Sequence, residues 1–343
     1  MNFTFRCPGC GYSTDKPTPD WKCPVCGRPL NIVSEKIPKR KSLMGEGNTP
    51  SVGVERKGRK IFFKLEYLNP SGSFKDRGTA FTVNYFNVKK NCSSYIEDSS
   101  GNTGVSTAMY AAAMGKKAFI FSPKTIAESK AKLLSLLGAT LKITETREEA
   151  YQEALKMARE ETDACYIGHM VNPVFNLGMS FIADEVIRDD GPGFTDVILP
   201  LASGTLLLGI YQGFLRLAEK NGQIPKLWAV QPTQVKYLRG KVKVVRDAEG
   251  PSDLADALVV KSPGRLDEIV EAINRSGGGA LIVNDDDMRR GVKALYSMGF
   301  IVEPSSAVVW AALEHLEKEE LIGNKVLVPL TGSGLKYIGQ IKL

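Results

Sequence analysis

Short apolar runs alternate with longer amphipathic stretches along most of this chain, and no other feature limits the possible folds so strongly. Strand-like runs occupy residues 61–65, 95–97, 118–121, 140–143, 165–167, 196–199, 227–230, 280–283 and 326–330. Between them, residues 76–88, 103–114, 128–137, 146–161, 175–188, 206–220 and 305–317 repeat apolar side chains at helical spacing. Strand and helix in turn make an α/β protein, with open parallel sheets covered by helices on both faces. A chain of 343 residues suits two such domains and a small module, since one core rarely grows past roughly 250 to 300 residues. Ligands in open parallel sheets bind at the carboxyl ends of the strands. Residues 99–103, 202–205 and 331–334 occupy such places. Residues 239–263 carry mixed charge with Gly and Pro, and they read as a surface insertion at the rim of the site.

Four of the six cysteines fall near the N-terminus as two C-P-x-C-G turns, Cys7 with Cys10 and Cys23 with Cys26, twelve residues apart. Each turn sets two thiolates on one side of a tight loop, and facing turns supply the four sulfurs of a tetrahedral structural zinc site. Iron in the same sulfur cage, or a pair of disulfides, would use the same residues. Cys92 and Cys165 lie on or beside predicted elements and read as core thiols.

Hydrophobic content of 43% and charged content of 24% are ordinary for a globular protein. No apolar run approaches the roughly 20 residues of a membrane span, and the first residues have no apolar signal core. These readings predict a cytoplasmic protein without a membrane partner. The net charge of +7 comes from 45 basic and 38 acidic residues that are spread along the chain. That pattern reads as a solvated surface attractive to small anions rather than a nucleic-acid footprint.

The chemistry concentrates in Asn69-Pro70-Ser71-Gly72-Ser73-Phe74-Lys75-Asp76-Arg77-Gly78. One lysine sits in a Ser/Gly-rich turn between a strand and a helix, where the turn holds it. Once deprotonated, it can form a Schiff base with an aldehyde. A second string, Ser99-Ser100-Gly101-Asn102-Thr103-Gly104, places small residues at a helix start, where backbone N–H groups suit a carboxylate. A third, Ala202-Ser203-Gly204-Thr205, precedes a long apolar helix and forms a ready phosphate cradle.

Together with Gly45-Glu46-Gly47-Asn48-Thr49-Pro50, Glu303-Pro304-Ser305-Ser306-Ala307 and Thr331-Gly332-Ser333-Gly334, these strings resemble the threonine synthases. That family belongs to the tryptophan-synthase-β (fold type II) group of pyridoxal-phosphate (PLP) enzymes, and the resemblance runs nearly end to end in the family's order. It implies two three-layer parallel-sheet domains with an N-terminal zinc ribbon: residues 1–34 the ribbon, 35–88 and 175–343 the larger PLP-binding domain, 89–174 the smaller one. It implies Lys75 as Schiff-base lysine and proton shuttle, and Asn102 at the PLP 3′-oxygen. Ala202, Ser203, Gly204 and Thr205 would hold the PLP phosphate, and Thr331 would face the ring nitrogen. Ser99, Ser100, Gly101 and Thr103 would hold the substrate carboxylate. A homodimer acting on a small amino acid is part of the same implication.

One segment departs from the family. Threonine synthases commonly read N-S-x-N-P-x-R where this chain has His169-Met170-Val171-Asn172-Pro173-Val174-Phe175. The Asn, Ser and Arg that help hold the substrate phosphate are replaced, and loss of a bidentate arginine weakens phosphate binding. His169 either takes over part of that task or is a packed core histidine. The reaction of threonine synthase, O-phosphohomoserine and water to threonine and phosphate, is the leading expectation. β-Replacement or β-elimination, as in cysteate synthase or a serine/threonine dehydratase, is the alternative. A zinc-ribbon nucleic-acid-binding protein with a vestigial enzyme domain is the remote one.

Overall fold

The structure, a computed structural model, describes residues 2–34, 37–99, 101–221 and 223–337. Ser100 lies outside the described residues. The chain opens with three short strands, β1 (Thr4–Arg6), β2 (Ser13–Thr14) and β3 (Asn31–Val33), which form an antiparallel sheet in the order β2-β1-β3. An antiparallel pair follows, β4 (Ser51–Arg56) and β5 (Arg59–Lys64), and then α1 (Lys75–Lys89). Next come β6 (Ser94–Glu97), α2 (Asn102–Ala113), β7 (Lys117–Pro123), α3 (Glu128–Leu136), β8 (Thr140–Thr144), α4 (Arg147–Glu160), β9 (Ala164–Tyr166) and α5 (Pro173–Asp190). The remainder runs β10 (Asp196–Pro200), α6 (Thr205–Asn221), β11 (Lys226–Pro232), β12 (Val244–Asp247), α7 (Leu266–Arg275), β13 (Gly279–Val283), α8 (Asp285–Ser297), α9 (Pro304–Lys318) and β14 (Lys325–Pro329). No described helix is long and apolar enough to cross a membrane.

Two compact units divide the chain: residues 1–46 with 75–178, and residues 47–74 with 179–343. These bounds differ from those expected. Helix α1 belongs with the smaller sheet because it packs on α2, so the first boundary falls just before Lys75 rather than after residue 88.

In the first unit a four-stranded parallel sheet has the order β8-β7-β6-β9. The N-terminal module packs against α1 through aromatic rings. Phe3 stacks on Tyr85 at 5.8 Å, and Trp21 lies 5.7 Å from Phe86 and 6.1 Å from Tyr85. Such ring contacts bury large apolar area where a short ribbon has no core of its own.

The second unit holds a seven-stranded sheet of order β12-β13-β11-β10-β14-β5-β4, parallel except at β4. Its central strands alternate between two cores, as a period of two requires. Ile198 and Trp228 join one core with α8 and α9, whereas Val197, Leu199 and Leu227 join the other with α6 and α7. Apolar residues on both sides are what a sheet covered by two helical layers needs. The expected insertion at 239–263 is corrected: it contains β12, the outer strand beside β13. Three half-buried residues and an exposed aspartate give that strand no periodicity to read. Helices α7 and α8 also escaped the sequence reading. Both lie in charged sequence; α7 buries Ile269, Ala272 and Ile273, and Asn284 with Asp287 forms a capping box on α8.

Cys92 and Cys165 are another correction. They were expected as separate core thiols, but the structure joins them in a disulfide, with Cα atoms 5.9 Å apart. The parallel pairing of β6 with β9 brings Ser94 opposite Ala164 and so sets the two cysteines side by side.

Candidate active site

Lys75 is the first residue of α1. The turn just before it, within the second unit, is pinned by backbone bonds. Phe74 N–H donates to Thr331 O at 3.0 Å, and Ser333 N–H donates to Gly72 O at 2.9 Å. Gly72 has φ 77° and abuts Ser333, so the turn needs glycine there. Within the first unit, Lys75 Nζ lies 5.8 Å from the centre of the buried Phe175 ring. Gly78, one turn on, leaves room for that ring: a Cβ there would sit 2.4 Å from Phe175.

A buried polar cluster shares the unit with Lys75. His169 Nδ1 and Glu97 Oε1 are 2.6 Å apart, with His169 4% and Glu97 0% exposed. The second oxygen of Glu97 has no partner among the described residues. Tyr166 donates its hydroxyl to Asp98, and both are buried. Burial pushes Glu97 up to about 7, opposed by the backbone N–H of His169 and the charge of Lys75. Burial, and then the neighbouring Glu97 charge, push Asp98 up to about 6. His169 is held well below the usual imidazole range, by burial first and by Lys75 second. Arg147, at the start of α4, acts electrostatically on all three and meets the Met170 sulfur at 3.5 Å. Asn176, on α5, is fully buried, with neither end of its amide partnered among the described residues.

The loop after β6 leads directly into α2. Gly101 is its N-cap and offers no side chain, so the first N–H groups of α2 lack a side-chain cap. Gly104 is required, because a Cβ would stand 2.3 Å from the Ser99 carbonyl oxygen. Ser99 and Asn102 are 7% and 8% exposed, and Thr103 is buried. This is an electropositive turn of small residues, chemically suited to a carboxylate.

In the second unit, Ala202, Ser203, Gly204 and Thr205 lead from β10 into the 17-residue helix α6. Gly204 has φ 85°, and a Cβ there would strike Ile269 at 2.2 Å. Ser203 and Thr205 hydroxyls stand 3.5 Å apart at the helix start, a cradle for a phosphate. Tyr237 braces it by donating to Ala202 O at 2.6 Å. Thr331 lies past the end of β14, with its N–H on Ser306 Oγ at 2.8 Å and its hydroxyl without a described partner. A neutral hydroxyl fits a pyridine nitrogen that is to stay unprotonated. Each unit offers part of what PLP needs: the first an amine beside a buried ring, the second a phosphate cradle and a neutral hydroxyl.

The four N-terminal cysteines converge, with all sulfurs within 4.8 Å of one another. Cys7 and Cys26 sulfurs are 3.3 Å apart, and Cys10 and Cys23 sulfurs 3.5 Å. Four thiols at that spacing fit a tetrahedral metal ion.

The structure thus brings Lys75 and His169 into one unit with the Ser99–Thr103 turn, and Ala202–Thr205 and Thr331 into the other. Glu97, Asp98, Tyr166, Arg147 and Tyr237 escaped the sequence reading. The adjacent acids Glu97-Asp98 at the end of an apolar strand were the available signal, because buried charges must find partners.

The pyridoxal-phosphate dependent enzyme family matches residues 43–332. The threonine synthase of Methanocaldococcus jannaschii is 29% identical over 313 residues, covering 85% of this chain and 75% of that protein. The L-threonine ammonia-lyase of Thermotoga maritima is 28% identical over 292 residues, covering 83% and 70%. A solved structure of O-acetylserine dependent cystathionine beta-synthase from Helicobacter pylori shares the fold, with a TM-score of 0.73 at 22% identity over 89% of this chain and 99% of that one. With the family matched over most of its length, this chain belongs to the pyridoxal-phosphate dependent enzymes of fold type II and is a PLP-dependent lyase.

Proposed function

We propose that the protein removes the β-hydroxyl of a small amino acid such as threonine or serine, releasing the 2-oxo acid and ammonia. Similarity does not separate this from threonine synthase, since relatives of both kinds stand at 28–29% identity. The observation that carries the reading is the surroundings of Lys75: a histidine kept neutral, the Glu97 carboxyl and the Phe175 ring. None of these offers a phosphate dianion a positive charge, and a buried site without one disfavours it.

PLP, when bound, supplies the electron sink that makes the substrate Cα–H acidic. Lys75 would carry it and, once released, take the Cα proton. Asn102 would hold its 3′-oxygen, Ala202, Ser203, Gly204 and Thr205 its phosphate, and Thr331 its ring nitrogen. Ser99, Ser100, Gly101 and Thr103 would fix the substrate carboxylate. With Glu97 protonated and donating to Nδ1, His169 keeps its proton on Nε2, ready for the departing hydroxyl. Zinc on Cys7, Cys10, Cys23 and Cys26 serves structure. A cytoplasmic homodimer completes the reading, its mass measurable by light scattering.

A second reading, threonine synthase on O-phosphohomoserine, is favoured by Arg147. Among the described residues its guanidinium meets only the Met170 sulfur, which leaves a cation beside the cluster for a phosphate. The test measures 2-oxobutyrate from L-threonine and pyruvate from L-serine against phosphate from O-phospho-L-homoserine. Oxo acid without phosphate release supports the first reading. Phosphate release that Arg147→Ala suppresses, with no oxo acid formed, replaces it with the second.

A further inference from the structure

Between the N-terminal module and α1, α4 and β9 of the first unit lies a cavity of about 330 Å³. That volume falls at the small end of ligand sites. Its walls are apolar: Pro17, Trp21, Tyr85, Phe86, Ala158 and Tyr166. Its rim is basic, with Lys16, Lys89 and Lys90 against the one acid, Asp15. Lys89 is held by Asn2 Oδ1 at 2.8 Å and Lys90 by Ala164 O at 3.0 Å. The ammonium of Lys16 has no partner among the described residues.

Two features mark this as a built site rather than a packing gap. The Tyr85 ring lines the cavity, and its hydroxyl engages no partner among the described residues. Trp21 holds φ 57°, a left-handed conformation unfavourable for a bulky residue. Its indole N–H donates to Tyr166 O at 3.2 Å, which fixes the ring as a wall.

We propose that this cavity binds a small carboxylate with an aromatic or branched apolar body, as a regulatory ligand. The body lies among Trp21, Tyr85 and Phe86, the carboxylate meets Lys16 and Lys89 at the rim, and the Tyr85 hydroxyl gains a partner. The wall leads to the candidate active site by direct contacts. Tyr166 donates to Asp98, the neighbour of Ser99. Gly168, next to His169, abuts both Tyr166 and Trp21, where a Cβ would meet them at 2.6 and 3.1 Å. A ligand that moves Trp21 or Tyr166 therefore displaces the His169 and Ser99 segments.

Calorimetry on the PLP-loaded, metal-loaded protein tests this with phenylacetate and 4-methylpentanoate, neither of which has an amino or oxo group for PLP chemistry. At least one should saturate a single site per chain with Kd below about 1 mM, and the corresponding amide should bind at least about tenfold more weakly. Lys16→Glu/Lys89→Glu, a change of two exposed side chains, should weaken binding about tenfold or more. Ala158→Trp, which fills the cavity, should abolish it. Binding should also shift the visible absorbance of the bound cofactor. Failure of both carboxylates to bind, or binding that survives the charge-reversal variant, overturns the proposal, whatever reaction the protein catalyses.

Discussion

His169 Nδ1 and Glu97 Oε1 stand 2.6 Å apart, both buried, in the unit that carries Lys75. With the imidazole held neutral, the protonation state of Glu97 sets the tautomer of His169. Below about 7 Glu97 keeps its proton and donates to Nδ1, leaving N–H on Nε2. Above about 7 Glu97 is a carboxylate, Nδ1 donates to it, and Nε2 is bare.

Loss of a hydroxyl assisted by Nε2–H should accordingly fall as pH rises through about 7. Glu97→Gln, whose amide donates to Nδ1 at every pH, should remove that break while leaving cofactor absorbance intact. A pH profile of oxo-acid release in the two proteins checks this.

Stability should carry the same signature. Glu97 and Asp98 are raised, so their contribution is present below their unfolded values and is lost as pH rises through about 6 to 7. His169 is lowered, so its contribution is present above the unfolded imidazole value and is lost as pH falls below it. The two acids outweigh one histidine. The Tm of the apo protein should therefore fall between pH 5 and 7, and in Glu97→Gln this slope should flatten or reverse.

Lys75→Ala should abolish both the visible absorbance of bound PLP and turnover. Added PLP should restore neither. Absorption spectroscopy with an oxo-acid assay decides it, and survival of both signals removes Lys75 from the chemistry.

Gly78→Ala places a methyl group 2.4 Å from the Phe175 ring in a closely packed helix pair. A destabilisation of about 1–3 kcal/mol is expected from overpacking. Phe175→Leu in the same chain should recover part of that loss, so the pair should be non-additive in denaturant unfolding.

Chelation of the metal proposed for the four cysteines, or Cys23→Ser, should lower Tm by several degrees, since the module packs on α1 through Trp21, Phe3 and Phe5. Turnover below the new Tm should change by less than about twofold. Loss of activity in a protein still folded at assay temperature would move the metal from structure into chemistry.

Much of the molecule was legible in the chain. Strands such as β13 are unbroken apolar runs, and the Lys75, Ser99 and Ala202 strings sit at or near strand ends. What stayed hidden depended on partners far along the sequence. Val244–Asp247 becomes a strand only beside β13, and α8 hides its apolar face under three aspartates at its start. Glu97 and His169 are 72 residues apart, and nothing local joins them.

The linear order of residues by itself determined the α/β class and marked out the strings around Lys75, Ser99 and Ala202 and the four-cysteine module. Each is a short-range matter of periodicity, backbone permissiveness or ligand spacing. The pairing of Glu97 with His169, the bracing of Ala202 by Tyr237, the Cys92–Cys165 bridge and the cavity behind Trp21 were decided by tertiary structure alone. They depend on which segments the sheets set side by side, and on how far burial then shifts the cost of a charge.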